Sequence, residues 1–261
     1  YTPFHFDITD FLKSGDNVLA ISINNDTWQT GSIPGAKDNG NANDPFPGWI
    51  NYGGLIRPVY LTTESEVYLE SLKVEATPDL AKGTANVLLK ARVRNTSKQA
   101  VTPKLTTVIS LENQPLKLVW KTSSSSVSAG QTAILEAEAT LKTTEVKLWN
   151  LDEPTLYQLQ AAINGDTLST NFGIRKVEVK NAQLLLNGQP IRLAGGNRVV
   201  DYPGLGSLEP DWLVEKDFRL MKEAGMEFHR LTHYTPSETF YDLADRYGML
   251  IITEPGNWQL T

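Results

Sequence analysis

The hydrophobic pattern of this 261-residue sequence changes near residue 173, from a period of two to helical stripes and short apolar runs. Between residues 64 and 172 apolar and polar side chains alternate, as in Val87, Leu89, Ala91 and Val93 against Leu88, Lys90, Arg92 and Arg94. The alternation returns at residues 135–141 and 157–163. Short strands with one apolar and one polar face are typical of a β-sandwich. We therefore predict that residues 64–174 form a sandwich domain with a structural role.

Beyond residue 173 the pattern predicts alternating strands and helices. Apolar runs at residues 191–193, 228–231 and 249–252 predict strands, and the last is apolar throughout, so we expect cover on both of its faces. Two helical stripes lie between the runs: Val214, Phe218 and Met221 between Pro210 and Gly225, then Phe240, Leu243, Ala244 and Tyr247 between a capping Ser237 and Gly248. This order predicts a parallel sheet that begins either a barrel or a doubly wound sheet.

The first 63 residues form a third region. Residues 18–23 and 53–61 are predicted to be strands, and a loop rich in Gly, Asn, Asp and Pro lies between them at residues 31–48. Because no start methionine or signal peptide is visible, we expect the native N-terminus to lie upstream.

Composition excludes several classes of function. The net charge of −6 argues against a nucleic-acid or anionic-membrane partner, and no apolar run approaches the ~20 residues of a membrane helix. The absence of cysteine excludes disulfides, thiolate metal sites and a cysteine nucleophile. The sequence does not determine the cellular compartment of the protein, although we favour the periplasm or the cell exterior over the cytoplasm.

Polar side chains follow all three predicted parallel strands, where ligands bind in such sheets. They are Asn197, Arg198 and Asp201 after the first, Arg230, His233 and Tyr234 after the second, and Glu254, Asn257 and Trp258 after the third. Amide, guanidinium and carboxylate groups suit the hydroxyls of a sugar, and an aromatic face suits its C–H side. The residues alone leave equally open that these are loop side chains bonded to one another.

Other chemistries fit the sequence less well. His229 and His233 have metal-ligand spacing only on a helix, and here they fall on and beyond a strand, so we expect His229 to pack on the strand and predict no metal site. Gly195-Gly196 lacks a phosphate-binding pattern, and no Gly-x-Ser-x-Gly elbow accompanies a histidine. Glu254 has no visible carboxylate partner, which favours a role as hydrogen-bond acceptor over catalysis.

Several motifs resemble glycoside hydrolase family 2, the family of β-galactosidases, β-glucuronidases and β-mannosidases. They are Tyr1-Thr-Pro-Phe-His-Phe-Asp with Gly53-Gly-Leu-Ile-Arg57, Leu148-Trp-Asn-Leu-Asp-Glu-Pro-Thr-Leu-Tyr157, Phe172-Gly-Ile-Arg175, Leu186-Asn-Gly-Gln-Pro-Ile191, Gly196-Asn-Arg198, Arg230-Leu-Thr-His-Tyr234 and Asp245-Arg-Tyr-Gly248. The resemblance implies a multidomain chain: the C-terminal part of a jelly-roll sugar-binding domain at residues 1–63, an immunoglobulin-like β-sandwich at 64–174, and the first three strands of a truncated (β/α)8 barrel at 175–261.

The resemblance also implies the roles of individual residues. Arg230 matches the arginine that orients the nucleophile, His233 matches a sugar-contacting histidine, and Asn197 and Arg198 match the family's Asn-Arg pair. Neither catalytic glutamate of the family, one after the fourth barrel strand and one after the seventh, matches a residue here. The chain is therefore expected to be an inactive interior fragment of a retaining exo-β-glycosidase.

The sugar is the least defined part of this expectation. Val199, Glu227 and Thr235 depart from the family's usual residues, whereas Asp201-Tyr-Pro-Gly-Leu-Gly206 resembles a β-galactosidase-like branch. We expect a β-galactosidase-like parent that acts on β-linked oligosaccharides or glycosides. The alternatives are a β-glucuronidase or β-mannosidase type, a glycosyl-transferring relative, or a non-catalytic carbohydrate-binding or structural fragment. The family needs no cofactor, although some relatives bind Mg or Na, and a homo-oligomer is compatible with it.

Overall fold

The structure, a computed structural model, describes residues 4–23, 54–232 and 235–254. The two strands predicted near the N-terminus are wrong: the described parts of residues 18–23 and 53–61 join no sheet, and the described residues of this region include a short 3-10 helix, Thr9–Phe11. Val18 is 93% exposed and Tyr60 is 78% exposed. Alternation shows which side chains a sheet could bury, but a strand also needs a neighbour for its backbone hydrogen bonds, and no described strand serves these segments.

Two antiparallel sheets form the sandwich. Its strands are β1 (Val67–Asp79), β2 (Thr84–Asn95), β3 (Thr106–Leu111), β4 (Gln114–Pro115), β5 (Lys121–Thr122), β6 (Thr132–Leu141), β7 (Tyr157–Ile163) and β8 (Asp166–Phe172). One sheet has the order β1-β2-β6-β5 and the other β4-β3-β7-β8. The apolar positions of the alternating runs are buried in one core between the sheets, while Glu136, Glu138 and Gln158 face solvent. The predicted alternation of these faces is therefore confirmed.

A small antiparallel sheet follows the sandwich. Its strands are β9 (Val177–Lys180), β10 (Gln183–Leu186) and β11 (Gln189–Pro190), in the order β11-β10-β9. Asn187 and Gly188 join β10 to β11 with φ of 51° and 79°, which is the positive-φ pair that a tight two-residue hairpin requires. The strand predicted at residues 191–193 is wrong, because Ile191 and Leu193 instead pack against a small core around Trp149.

The last unit is a parallel sheet with two helices, here called the α/β unit. Its elements are β12 (Gly195–Arg198), α1 (Asp211–Glu223), β13 (Phe228–Leu231), α2 (Glu238–Tyr247) and β14 (Leu250–Ile252). The strands pair in parallel in the order β12-β13-β14. The predicted parallel pairing is therefore confirmed, although the first strand lies at Gly195–Arg198 and not at residues 191–193. No helix among the described residues is long and apolar enough to cross a membrane.

The ends of the α/β elements depart from the sequence prediction in two ways. Ser237 lies at the N-cap of α2, but its hydroxyl makes no capping bond and is buried without a described partner. Strand β14 is not covered on both faces, since Ile252 is 52% exposed and Leu250 and Ile251 are half-buried. Among the described residues β14 pairs only with β13, so its outer side lacks the cover that an apolar strand expects.

A set of close contacts around Trp149, here called the Trp149 joint, connects the sandwich to α2. The buried indole donates from Nε1 to the Asp245 carbonyl at 2.8 Å, and the Arg175 guanidinium stacks 4.5 Å from the indole centroid. Arg175 also pairs with the Asp245 carboxylate at 2.9 Å. Burial raises the pKa of Asp245, and Arg175 opposes this rise. The joint therefore combines apolar packing with charge and positions the α/β unit on the sandwich.

Candidate functional site

Asn197, Arg230 and Glu254 mark the C-terminal edge of the parallel sheet. Asn197 on β12 is the register partner of Arg230 on β13, so the two side chains project from the same face. Glu254 follows β14 and forms an ion pair with Arg230. The Arg230 side chain is 40% exposed and that of Glu254 is 19% exposed. The structure therefore brings these three of the predicted site residues to one face of the sheet.

The chemistry of this face is that of hydroxyl recognition. A guanidinium offers a planar fork of donors, an ionised carboxylate offers only acceptors, and an amide offers both. The pairing of Glu254 with Arg230 fits the predicted role of Glu254 as an acceptor. A ligand with several adjacent hydroxyls could exchange hydrogen bonds with all three side chains.

Arg198 belongs to the opposite face of the same sheet. Its register partner is Leu231, which packs in the core beneath the helices. Its side chain is 11% exposed, lies 2.8 Å from Asp217 of α1 and also pairs with Glu209. Burial disfavours the guanidinium charge, but Glu209 and Asp217 outweigh burial and raise the pKa of Arg198. The structure therefore separates Arg198 from Asn197, with which the sequence groups it.

Glu209 connects Arg198 to a distant part of the chain. Its side chain is 2% exposed, and Oε2 lies 3.3 Å from Nη1 of Arg57. Arg57 also donates from Nη2 to the Thr235 carbonyl at 3.3 Å. Sequence reasoning does not select Arg57, Glu209 or Asp217 as functional. Two features of the sequence could have indicated them. Asp217 is adjacent to Phe218 of the predicted apolar stripe, and Arg57 lies in a run that two glycines precede.

His229 lies on β13, as predicted, and its side chain is buried. It is 2% exposed, its ring lies 5.6 Å from that of Phe240, and neither ring nitrogen has a hydrogen-bond partner among the described residues. Its pKa is lowered from 6.5 to about 4, first by burial and then by the charge of Arg198, against a smaller opposing effect of Asp217. His229 is therefore a neutral core residue under the sheet.

Asp201 lies in a tight loop after β12. The backbone N–H of Tyr202 donates to the Gly206 carbonyl at 2.9 Å, and the backbone N–H of Gly206 donates to the Tyr202 carbonyl at 2.9 Å. The loop from Asp201 to Gly206 lines an open depression of about 570 Å³. Asp201 is exposed there.

The other predicted site residues, His233, Tyr234, Asn257 and Trp258, lie outside the described residues. Within the described ranges, no group of three or more His, Cys, Asp or Glu side chains could hold a metal ion.

Two family models match the chain. One, described as "Glycosyl hydrolases family 2", covers residues 67–175, and the other, "Glycosyl hydrolases family 2, TIM barrel domain", covers residues 177–257. The first range contains the two sandwich sheets, and the second contains the α/β unit. The parallel sheet is therefore the beginning of a TIM barrel domain and not of a doubly wound sheet.

Curated relatives and solved structures agree with these matches. The chain is 27% identical over 97% of its length to a putative beta-glucuronidase of Formosa agariphila, and it spans 29% of that protein. It is 27% identical over 99% of its length to a beta-galactosidase of Thermoanaerobacterium thermosulfurigenes, of which it spans 35%. The crystal structure of a Bacteroides uniformis beta-glucuronidase superposes on 81% of the chain with a TM-score of 0.72 at 24% identity, and the chain covers 27% of it. At that identity the superposition shows the fold alone.

Proposed function

The chain belongs to glycoside hydrolase family 2, and from this premise we propose that it forms part of a retaining exo-β-glycosidase that hydrolyses terminal β-glycosidic bonds. The observation that carries the proposal is the gathering of Asn197, Arg230 and Glu254 on one face at the C-terminal edge of the parallel sheet. Barrel enzymes bind substrates at this edge. The chain spans about a third of the curated relatives it matches, so the activity belongs to a longer protein.

Each of the three side chains has a proposed role. Arg230 orients the nucleophilic glutamate and helps to keep it ionised, because a nearby positive charge favours the carboxylate. Asn197 bonds sugar hydroxyls, and Glu254 accepts from a hydroxyl while it holds the Arg230 guanidinium in place. His233, Tyr234, Asn257 and Trp258 complete the predicted sugar contacts, and Asp201 lines the approach.

The catalytic carboxyls are proposed to lie in other parts of the protein. A retaining glycosidase uses two carboxyls about 5–5.5 Å apart, one as the nucleophile and one as the acid and base. The family resemblance assigns neither glutamate to a residue of this sequence. We therefore propose that the 261-residue chain alone does not turn over glycosides, and that neither cofactor nor metal is needed for the chemistry.

The finer architecture is proposed by the same resemblance. Residues 64–174 would be an immunoglobulin-like sandwich, residues 175–261 the first part of a (β/α)8 barrel, and residues 1–63 part of a jelly roll that forms a wall of the site. The ion pair between Arg57 and Glu209 supports the last point, since it ties that region to the α/β unit.

We propose a β-galactoside as the substrate, with a β-glucuronide as the second candidate. The beta-galactosidase relative supports the first, and the putative beta-glucuronidase relative supports the second. Because both sugars share most ring hydroxyls, Asn197 and Arg230 could serve either.

The proposal is tested with the full-length protein and the 261-residue chain side by side. Nitrophenyl β-galactoside, β-glucuronide and β-mannoside are the substrates, and proton NMR of the first product identifies the anomer. We expect hydrolysis with retention by the full-length protein and none by the chain. Turnover by the chain that is lost in Glu254→Gln would instead make Glu254 catalytic, and inversion by the full-length protein would contradict the mechanism.

A further inference from the structure

Four charged side chains from three separate segments form a cluster beneath the candidate site, here called the four-charge cluster. It consists of Arg57, Arg198, Glu209 and Asp217. The two arginines and two carboxylates balance in charge. Arg198 and Glu209 are the most enclosed, with side chains 11% and 2% exposed. Buried charges are costly unless they are paired, so these residues constrain one another's positions. Arg198 and Glu209 are joined by a hydrogen bond, whereas Nη1 of Arg57 faces Glu209 as an ion pair without a hydrogen bond.

Glu209 contacts both arginines of the cluster. Oε1 bonds the Arg198 guanidinium and Oε2 lies 3.3 Å from Arg57. Arg198 is the last residue of β12, and its carbonyl accepts from the Thr232 hydroxyl at 3.0 Å. Asn197, the adjacent residue, projects from the other face of that strand. A shift of Arg198 would therefore move Asn197.

We propose that Glu209 is a positioning residue: by bridging Arg57 and Arg198, it fixes the segment around Arg57 on the α/β unit and sets the position of Asn197 toward the substrate. This inference deepens the proposed function and rests on it for its activity readout. Glu209 does not touch the substrate in this scheme. It acts through the backbone of β12 and through the segment of residues 54–63.

The first test does not depend on activity. The chain has no cysteine, so spin labels can be placed at Leu61→Cys, on the Arg57 segment, and Arg219→Cys, on the exposed side of α1. We expect the label–label distance distribution, measured by pulsed electron resonance, to broaden in Glu209→Gln and in Arg57→Gln. Glu215→Gln, which removes an exposed carboxylate of α1 that pairs with Arg246, is the matched control and should not broaden it. An unchanged distribution in both cluster variants would refute the bridge.

The second test asks whether Glu209 acts through Asn197 in the full-length glycosidase. Glu209→Gln should lower kcat/KM on the order of 10-fold, because small misplacements of a binding group are costly. In an Asn197→Ala background the same change should cost less than about 2-fold, since residues that act together are non-additive. A role limited to stability would give the same loss in both backgrounds and would overturn the proposal.

Arg57→Gln provides a second route if Glu209→Gln does not fold, because Arg57 is 27% exposed and its loss leaves Glu209 paired with Arg198. Arg57→Gln should also lower kcat/KM less in the Asn197→Ala background than in the parent, with a smaller difference than Glu209→Gln shows. If the unmodified full-length protein hydrolyses no β-glycoside, the proposed function fails while the distance measurement still decides the bridge.

Discussion

At the scale of single residues, His229 makes stability depend on pH. Its pKa of about 4 in the folded state lies below the usual 6.5, first because it is buried and then because of Arg198. Between those values the unfolded chain binds a proton that the folded chain does not. The free energy of unfolding should therefore fall as the pH drops from 6.5 toward 4, by about 2 kcal/mol at pH 5.

The test is His229→Leu, which keeps the approximate volume and removes the titrating group. The free energy of unfolding is measured by chemical unfolding at pH 7.5 and at pH 5. From pH 7.5 to pH 5, the stability of the variant relative to the parent should rise by about 2 kcal/mol. His5→Leu, at an exposed position, is the control and should not reproduce this gain. Equal losses of stability in parent and His229→Leu would show that His229 is already charged in the folded state.

Arg230 is expected to affect rate rather than folding. Its side chain is 40% exposed and its partner Glu254 is also reachable by solvent, so Arg230→Lys should change stability little. Lysine cannot reproduce the planar fork of donors that orients a carboxylate. In the full-length enzyme kcat should fall about 100-fold or more. A rate within a factor of a few of the parent would show that Arg230 does not orient the nucleophile.

At the scale of elements, the C-terminal glycines of the two helices offer a matched pair. Gly225 after α1 and Gly248 after α2 have φ of 75° and 66°. A Cβ on Gly225 would meet open space, whereas one on Gly248 would lie 2.1 Å from the carbonyl oxygen of Leu151, which belongs to the same buried cluster as Trp149. Alanine at either position costs about 1 kcal/mol for the left-handed conformation, and Gly248→Ala adds the clash.

We therefore expect Gly248→Ala to destabilise the α/β unit by at least about 2 kcal/mol more than Gly225→Ala does. Urea unfolding monitored by circular dichroism would measure both. Similar losses in the two variants would mean that α2 does not pack against Leu151 as closely as described.

The elements that the sequence predicts are those whose burial is set by one core. Alternation identifies β2, β6 and β7 because each presents every second side chain to the same interior. Strand β12 escapes prediction because Gly195 and Gly196 carry no hydrophobic signal. Glycine is needed there, since a Cβ on Gly195 would lie 1.8 Å from the Phe228 carbonyl oxygen. Its backbone pairing, not its side chains, makes it a strand.

The candidate site is predictable only in part for a related reason. The order of strands and helices places Asn197, Arg230 and Glu254 at one edge, and the structure brings them together there. The face to which each side chain projects depends on register, which separates Arg198 from Asn197. The pairing of Arg57 with Glu209 joins residues far apart in the chain, and no local pattern encodes it.

At the scale of the whole molecule, the sandwich core and the core beneath the helices differ in size, and Trp149 of a third, smaller cluster hydrogen-bonds to α2. Among the described residues the sandwich core contains eighteen buried side chains, and the core beneath the helices contains seven. Local stability follows the extent of buried apolar contact. We predict that the 261-residue chain unfolds in two steps, with the α/β unit first. Amide exchange in increasing urea should release β13 and α2 before β2 and β6.

Removing the indole at the joint should separate the steps further. Trp149→Phe loses the Nε1 bond to the Asp245 carbonyl and part of the surface beneath Arg175, so it should lower the stability of the α/β unit by about 2 kcal/mol. Exchange from β2 and β6 should hardly change, because their core closes without Trp149. Trp120 is half-buried against the sandwich core. Trp120→Phe should therefore speed exchange from β2 and β6 and hardly change the stability of the α/β unit. A single transition in which all four elements exchange together, with both variants shifting it equally, would show that the joint couples the units into one cooperative fold.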